Sequence, residues 1–274
     1  MVTSPRELAR LERRTFELGS QALYRDAPLY EQLYVRRRDD VRFYVEVARH
    51  YGEPVLELGA GSGRITLAIA EAGVAVVGVD AMASMLAHAK ARLALRPERE
   101  RERVKLIRGD LRKLRLPRRF PLVIAPFNVL QHTASGAELQ RTLERCAAAI
   151  VPGGRLVLDV LNPDMRALAQ DPERVLRAGH VTHPVTKIRY AISESSHYDA
   201  ATQVRTVHMF LSPVTGHGAS MVVPLAQRQI FPEELLARLE AAGLSLEARY
   251  GAFDRSPFGA ASESQIVIAR RRKG

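Results

Sequence analysis

The stretch that decides the fold reads Val55-Leu56-Glu57-Leu58-Gly59-Ala60-Gly61-Ser62-Gly63-Arg64 and continues as Ile65-Thr66-Leu67-Ala68-Ile69-Ala70. Its mostly apolar first four residues predict a strand that is buried on both faces, and the segment after the glycines predicts a helix. The three alternating glycines can adopt positive φ angles and let a ligand approach the backbone. Strand, glycine turn and helix therefore predict the first unit of a doubly wound α/β sheet, the alternative being an ordinary tight turn that binds nothing.

The glycine spacing distinguishes two classes of cofactor. A dinucleotide fingerprint requires a third glycine at position 64, which is Arg64 here, whereas this loop has its third glycine at Gly63. The next predicted strand, at 74–79, is followed by Asp80, an acid that both classes use to accept hydrogen bonds from ribose hydroxyls. The glycine spacing therefore disfavours a nicotinamide oxidoreductase. Asp80 alone does not distinguish the two classes of cofactor.

Three successive motifs resemble those of the class I S-adenosylmethionine-dependent methyltransferases. The pattern Glu-x-Gly-x-Gly-x-Gly that closes the first strand, at 57–63, resembles their motif I. Residues 80–86 resemble a segment in which a methionine packs on the adenine, with Met82 in place of the usual serine. Residues 108–111, after the third predicted strand, resemble the element that reads the adenine edge.

The resemblance covers residues 51–162 by motif and implies S-adenosylmethionine as the cofactor. It implies that the glycine loop cradles the methionine and ribose, with Glu57 supporting the loop or the amino group. Asp80 would hold the ribose, and Asp110 and Leu111 would help to frame the adenine. The cofactor-binding residues expected on this basis are Glu57, Gly59, Ala60, Gly61, Gly63, Asp80, Ala81, Met85, Gly109, Asp110, Leu111 and Pro126.

The same resemblance implies a Rossmann-like α/β sheet of seven strands with additions. The divisions expected are an N-terminal helical cover at 1–50, a cofactor-binding core at 51–162, an antiparallel β insertion after strand five at 163–231, and a closing helix and β hairpin at 232–274. The insertion is predicted to be a meander of three β-like stretches, at 187–198, 203–212 and 220–230. In several small-molecule methyltransferases such an insertion is a platform over the acceptor.

Helix-capping patterns and tyrosines mark the predicted cover. Residues 4–7 and 135–138 both have capping-box spacing, and Asp39 or Asp40 is expected to cap a helix. Tyr30 and Tyr34 lie in the tyrosine-rich segment 29–34. Each is a candidate either to face the substrate or to pack the cover on the core.

The residues after strand four are where acceptor chemistry is expected, because ligands bind beyond the carboxyl ends of the strands in such sheets. Residues 125–128, Ala-Pro-Phe-Asn, depart from the motif of nucleobase and glutamine amino-methyltransferases, which counts against those acceptors. His132 could take a proton from the acceptor or orient it, or could simply complete loop hydrogen bonds. The candidate catalytic residues are His132, Asn128 and Tyr30, with Tyr190, His208 and Arg228 of the insertion as possible contributors.

The net charge of +11 suggests a polyanionic partner, but its distribution does not favour one. The basic residues concentrate between 92 and 119, where no aromatic side chain offers a stacking platform for single strands. We therefore favour a solvated basic face. An RNA or protein methyltransferase that uses this surface stays an alternative.

Composition limits the disulfides, metal sites and membrane segments that the chain could have. The single cysteine, Cys146, excludes a disulfide framework and is expected in the core, and four histidines at 180, 183, 197 and 217 are interpreted as surface or turn residues without metal spacing. We expect no metal. With neither a signal peptide nor a membrane-spanning run visible, the predicted location is cytoplasmic, with no membrane partner.

Taken together, the sequence predicts in-line transfer of a methyl group from S-adenosylmethionine to a nitrogen or oxygen of a small molecule. Residues 229–236, together with the tyrosine segment and the β insertion, resemble enzymes that N-methylate amino sugars. A non-catalytic cofactor-binding protein is a further alternative. The oligomeric state is left open.

Overall fold

The computed structural model of the chain describes residues 5–215 and 217–272, with side chains described from residue 13 onward. The predicted capping box at 4–7 therefore lies outside the described residues in part. Nine helices are described: α1 Pro5–Ala22, α2 Ala27–Leu33, α3 Asp39–Tyr51, α4 Arg64–Glu71, α5 Ala83–Ala94, α6 Glu98–Arg101, α7 Gly136–Ala149, α8 Met165–Leu168 and α9 Pro232–Ala241. Two short 3₁₀ turns lie at Leu23–Arg25 and Val129–His132. No described helix combines the length and the apolar composition that crossing a membrane would need.

The main sheet has seven strands and confirms the predicted fold. Its strands are β1 Val55–Leu58, β2 Val76–Asp80, β3 Val104–Arg108, β4 Phe120–Ala125, β5 Ile150–Leu161, β10 Leu244–Tyr250 and β11 Ser264–Arg271. They are ordered β10-β11-β5-β4-β1-β2-β3, with β11 antiparallel to both of its neighbours. The order reverses direction between β1 and β4, so the loops after these strands border the crevice where ligands of such sheets bind.

A separate antiparallel sheet is inserted after β5. It consists of β6 Leu176–Thr182, β7 Arg189–Asp199, β8 Val204–Pro213 and β9 Met221–Arg228, in that order. The sequence predicts only the last three strands. The first was missed because six of its seven residues are solvent-exposed and Gly179 interrupts it at a register shift, so no apolar alternation marks it. The division of the chain into four units stays a prediction.

The core lies on both faces of the main sheet. All four residues of β1 are buried, as expected for a central parallel strand. One face packs against α7 and α9 and includes Leu143 and Cys146, so Cys146 is the core residue that the sequence predicts. The other face packs against α3 and α4 through Phe43 and Ile69. Burying each such large side chain stabilises the fold by about 1.5–3 kcal/mol.

Strand β5 includes a Pro-Gly-Gly sequence, at residues 152–154, close to its start. A register shift against β4 between Phe120 and Leu122 accommodates them. A Cβ atom on Gly154 would lie 2.6 Å from the carbonyl oxygen of Pro121, so this close approach of two strands requires glycine.

Of the surface or turn position that the sequence predicts for His183, the turn is confirmed and the surface is not. His183 lies in the turn between β6 and β7 but is buried, and its Nδ1 accepts hydrogen bonds from the N–H groups of Val185 and Thr186. Nε2 therefore carries the proton in the neutral ring and donates to Asp26 Oδ2, 2.9 Å away. The other oxygen of Asp26 caps α2 by accepting from Leu29 N–H. One carboxylate thus joins the inserted sheet to the start of α2.

The helix that starts after Ser135 has the cap that the sequence predicts. Ser135 Oγ accepts from Glu138 N–H at 3.2 Å, and Glu138 Oε2 accepts from Ala134 N–H. Ser135→Ala should lower the free energy of unfolding by about 1 kcal/mol, because one helix N–H loses its acceptor.

Urea unfolding of the two proteins measures this difference. Ser220→Ala, at an exposed loop serine, is the matched control and should change the free energy of unfolding by less than about 0.5 kcal/mol. Equal effects of the two substitutions would contradict the capping role.

Candidate active site

The glycine loop is fastened to the end of β2. The N–H groups of Gly59 and Ala60 both donate to the carbonyl oxygen of Val79, at 2.8 and 3.0 Å. Gly59 has φ +71°, and a Cβ atom there would lie 2.4 Å from the side chain of Val129. Glycine is therefore required at this position both by backbone conformation and by the close approach of the loop after β4.

Asp80 shapes the next part of the loop. Its Oδ2 accepts from Gly61 N–H at 2.8 Å, and its Oδ1 accepts from Met82 N–H at 2.7 Å. Burial raises the pKa of this carboxyl group, and the two N–H donors oppose that shift. Each oxygen keeps a lone pair for another donor, so the carboxylate can hold the loop and still accept from a ligand hydroxyl.

A cavity of about 940 Å³, including its open mouth, lies beside this loop. It extends from Gly59 and Gly61 to Asp80, and α1 covers it through Phe16 and Glu17. Among the predicted site residues, it is lined by Tyr30, Gly59, Gly61, Asp80, Ala81, Met85, Gly109, Asp110, Leu111, Pro126 and His132. The sequence therefore predicted residues from five separate segments that meet around one cavity.

A smaller cavity adjoins the first one. It is lined by Glu57, Ala60, Ser62 and Arg64, and it shares Tyr30, Gly59, Gly61, Pro126 and Phe127 with the larger cavity. We call the larger one the nucleoside cavity and the smaller one the loop cavity. The shared residues place the two cavities next to each other beside the glycine loop.

Two predicted site residues do not line either cavity. Gly63 is buried at the N-terminus of α4 with φ +78°, where a Cβ atom would contact Ala89 and Leu67 at 3.3–3.4 Å. Asn128 is buried with φ +62°, and its backbone carbonyl accepts from Gln131 N–H. Both positions shape the loops that carry the cavity walls.

The insertion residues proposed as contributors also lie elsewhere. Arg228 is buried and donates to Glu234 at 2.8 Å and to Gln203, so it joins the inserted sheet to α9. Tyr190 is buried in the cluster between the inserted sheet and α2. Neither lines the two cavities, and His208 does not line them either.

Glu57 is a buried acid in the wall of the loop cavity. Thr66 Oγ1 shares a short hydrogen bond with Glu57 Oε2, which braces the strand end against α4. Burial raises the pKa of Glu57 to about 8, although Thr66 and the charge of Arg64 oppose the shift. The side chain is therefore largely protonated at neutral pH.

Asp110 has a partner that the sequence did not indicate. Arg112 binds both of its carboxylate oxygens, at 2.8–3.1 Å, and holds the pKa of Asp110 below its usual value against the effect of burial. Arg112 also lines the nucleoside cavity. The pair fixes the position of the Gly109–Leu111 turn at one end of this cavity.

His132 lies in the nucleoside cavity beside Tyr24. The Tyr24 hydroxyl is 2.8 Å from His132 Nε2, and the two rings meet edge to face. Burial and then the charge of Arg112 lower the pKa of His132 to about 4, and burial raises the pKa of Tyr24 well above its ordinary value. Both side chains are therefore uncharged at neutral pH. No local pattern marks Tyr24, which lies 108 residues before His132 in the chain.

Three aromatic rings close the space between cover and core, and we call them the aromatic wall: Tyr30, Tyr34 and Phe127. Their centroids lie 4.9–6.3 Å apart in tilted and edge-to-face arrangements. Arg37 lies over the Phe127 ring at 4.6 Å. Tyr30 and Phe127 line both cavities, so the wall stands where the two cavities meet.

The loop that carries Phe127 is strained. Phe127 and Asn128 have φ values of +56° and +62°, a conformation that costs about 1–3 kcal/mol for residues other than glycine. Asp159 on β5 holds it, since its Oδ1 accepts from both Phe127 N–H and the Tyr44 hydroxyl at 2.7 Å. Strain of this kind is concentrated at binding and catalytic sites.

Asp40 does not cap α3 as the sequence predicts, since the N-cap residue is Arg38 without a side-chain bond. Instead Asp40 is fully buried and accepts from Arg64 at 2.6–2.7 Å and from Arg37 at 3.0 Å. A buried carboxylate without a cation costs more free energy than a helix end without a side-chain cap. The pair holds Arg64 against the loop cavity.

The residues present fit an adenosyl cofactor. The nucleoside cavity is open between Gly59 and Asp80, and a Cβ atom on Gly61 would lie 3.3 Å from the Met85 methyl group. In the loop cavity, Ser62 Oγ is buried without a hydrogen-bond partner among the described residues. That hydroxyl and Arg64 would suit a carboxylate.

Comparison with known proteins agrees with this geometry. A family described as "Methyltransferase domain" matches residues 56–156. A dTDP-3-amino-3,6-dideoxy-alpha-D-glucopyranose N,N-dimethyltransferase of Streptomyces fradiae is 30% identical over 197 residues, 70% of each chain. A cypemycin N-terminal methyltransferase of a Streptomyces species is 28% identical over 227 residues, 80% of this chain and 84% of the relative. The solved CcbJ methyltransferase from Streptomyces caelestis is 28% identical, with a TM-score of 0.74 over 85% of this chain and 95% of that one.

The fold and the site thus define a methyltransferase that uses S-adenosylmethionine. The chain belongs to the class I S-adenosylmethionine-dependent methyltransferase superfamily, and within it the chain resembles the amino-sugar N-methyltransferases.

The raised pKa of Glu57 makes a testable difference to stability. An acid whose folded-state pKa lies above its unfolded value stabilises the fold at low pH and loses that contribution as the pH rises through the folded value. Here the loss falls between about pH 4.5 and about pH 8. Glu57→Gln keeps the hydrogen bond to Thr66 without this titration.

Unfolding free energies of both proteins across this range test the expectation. The stability of the variant relative to the unsubstituted chain should increase with pH, because only the unsubstituted chain must take up a proton at Glu57 when it folds in this range. Glu98→Gln, at an exposed acid on α6, is the control. A pH-independent difference would show that Glu57 is ionised in the folded protein.

Proposed function

We propose that the chain methylates the nitrogen of a small-molecule amine by in-line displacement. We choose nitrogen over oxygen as the methylated atom because of His132, the histidine in the nucleoside cavity. Its pKa is low, about 4. A hydroxyl acceptor needs a base strong enough to take its proton, whereas a neutral amine already has a free lone pair. The names of the two relatives above, an N,N-dimethyltransferase and an N-terminal methyltransferase, support the same choice.

The chain's own residues would hold the cofactor beside the glycine loop. When bound, S-adenosylmethionine supplies a methyl group on a positively charged sulfur. Asp80 would accept from ribose hydroxyls while it keeps its bonds to the loop, and Met85 would pack against the adenine. Arg64 and Ser62 would face the methionine carboxylate in the loop cavity.

The aromatic wall suits the reacting end of the cofactor. Tyr30 and Phe127 line the junction of the two cavities, and aromatic ring faces attract cations. Burial raises the pKa of Tyr30, so the phenol stays neutral beside the positive charge. We therefore propose Tyr30 as a positioning group for the sulfonium and the acceptor.

The reaction itself demands little covalent chemistry from the protein. The lone pair of the amine forms the new nitrogen–carbon bond, the carbon–sulfur bond breaks with its electrons passing to sulfur, and the nitrogen then releases a proton to water. Holding the three atoms in line can contribute about 7–11 kcal/mol of the rate enhancement. The strained Phe127 loop and the aromatic wall are the groups placed to do so.

The proposal is tested with the full chain, radiolabelled S-adenosylmethionine and paired acceptors. One acceptor is dTDP-3-amino-3,6-dideoxy-alpha-D-glucopyranose, which the Streptomyces fradiae relative is named for, and its partner carries a hydroxyl in place of the amine. Label should pass to the amine and not to the hydroxyl compound. Transfer to bulk RNA or to protein alone would favour the alternative that uses the basic surface.

Asp80→Ala should weaken binding of S-adenosylhomocysteine, measured by calorimetry, by at least about tenfold, because the ribose loses its acceptor. Asp171→Ala is the matched control, since Asp171 also accepts a backbone N–H but is exposed outside the site. Unchanged affinity in Asp80→Ala would refute the ribose role. Tight binding of NAD in place of S-adenosylhomocysteine would overturn the assignment of the cofactor.

His132→Gln should reduce kcat by about 100-fold, because the imidazole orients the acceptor, and should leave the affinity for S-adenosylhomocysteine unchanged. Because its pKa is about 4, the rate should show no protonation step of His132 between about pH 6 and about pH 9. Full activity of the variant would remove His132 from the catalytic candidates. Tyr24→Phe separates the effect of the hydroxyl group from that of the ring.

A further inference from the structure

A further cavity lies between β1, the segment that follows β3, and helix α7. It encloses about 720 Å³, including its open mouth, which is within the range of small-molecule sites. Its lining and that of the nucleoside cavity share one residue, Leu111. The two cavities are therefore neighbours, but the site described above does not use this one.

Most of the lining of this cavity is apolar. Five leucines contribute to it, and we call it the leucine cavity: Leu56, Leu58, Leu111, Leu114 and Leu116. Leu56 and Leu58 are buried in the sheet, whereas Leu114 and Leu116 are half-buried and leave part of their apolar surface to solvent. An apolar ligand that covered this surface would gain free energy by removing it from water.

Two arginines are the charged residues of the lining. Arg145 of α7 is half-buried, and its Nε is buried without a hydrogen-bond partner among the described residues. Arg115, on the segment after β3, is exposed. A buried donor on a charged group is costly to leave without an acceptor, and the positive charge makes an anion the best acceptor.

The acids near α7 do not neutralise these two guanidinium groups. None of the ion pairs within 4.0 Å among the described residues involves Arg115 or Arg145. Glu144, next to Arg145 in the helix, is exposed and accepts from Gln140. Glu138, the other acid of α7, is engaged at the start of the helix. The lining itself contains no acid among the described residues.

The chain beside the cavity adds further positive charge. Segment 111–119 contains no acid and five basic residues, which are Arg112, Lys113, Arg115, Arg118 and Arg119. Only Arg112 among them forms an ion pair in the part of the chain that the structure describes. The potential at the mouth of the leucine cavity is therefore positive. No aromatic ring is among the described residues that line it, so it offers no stacking surface for single-stranded nucleic acid.

We propose that the leucine cavity binds a carboxylate that carries an apolar chain, such as a medium-chain fatty acid. The chain covers the leucines, and the carboxylate accepts from Arg145 and pairs with Arg115, because a guanidinium matches the geometry of a carboxylate. An alcohol with the same chain would leave both charges without a counter-ion. A small anion would leave the leucines exposed. The proposal does not depend on the identity of the methyl acceptor.

Calorimetry of the full chain with octanoate, octanol and acetate tests the proposal, at concentrations below that at which octanoate forms micelles. Octanol has the apolar chain without the charge, and acetate has the charge without the chain. Octanoate should bind at least about tenfold more tightly than either, since only octanoate satisfies both the arginines and the leucines.

Arg145→Gln should weaken octanoate binding by at least about tenfold and change octanol binding by less than about twofold. Arg141→Gln is the matched control, because Arg141 is an exposed arginine one turn earlier on α7 and outside the lining. Arg115→Gln tests the other guanidinium without altering the helix and should weaken octanoate by at least about threefold. Its control is Lys113→Gln, at an exposed residue outside the lining.

Equal binding of octanoate and octanol, or octanoate binding that survives both Arg145→Gln and Arg115→Gln, would overturn the proposal. Saturating S-adenosylhomocysteine should leave octanoate bound, whereas displacement of octanoate would place it in the nucleoside cavity and also overturn the proposal. If single-stranded oligouridylate binds with the same dependence on Arg145 and octanoate does not bind, the basic segment serves a polyanion and the leucine cavity is not its ligand site.

Discussion

The rest of the site depends on one constraint: hydrogen bonds fix the glycine loop to the end of β2. The carbonyl of Val79 and the carboxylate of Asp80 accept from the N–H groups of Gly59, Ala60 and Gly61. With its backbone fixed in this way, the loop requires glycine at position 59, where a Cβ atom would overlap Val129, and both cavities lie beside it. The nucleoside cavity, the loop cavity and the aromatic wall are all arranged around that backbone.

Pairing of buried charge connects the cover to the core. Asp40 of α3 holds Arg64 of α4, and Asp159 of β5 holds the strained loop at Phe127 while it accepts from Tyr44 of α3. Removing one partner of such a pair leaves a charge or donor without compensation, which costs more than the pair itself contributes. These contacts therefore fix the position of the cover relative to the sheet.

The sequence predicts those parts of the structure that are encoded by patterns among neighbouring residues. The glycine loop and Asp80 follow from motifs within a few residues. The seven-stranded fold follows from the family resemblance that these motifs carry, and the structure confirms it. Contacts between distant segments leave no such pattern: Asp40 resembles a helix cap until its partner Arg64 is known, and Tyr24 meets His132 only after the chain has folded. The first strand of the insertion was missed because its exposed side chains carry no alternation.

The hydrogen bond between His183 and Asp26 limits how the cover and the inserted sheet can diverge among related proteins. The same carboxylate that begins the helix carrying Tyr30 also anchors a turn of the inserted sheet, 157 residues further along the chain. A sheet exchanged for that of another protein would lose this anchor and displace the cover, so the two segments can change only as a matched pair.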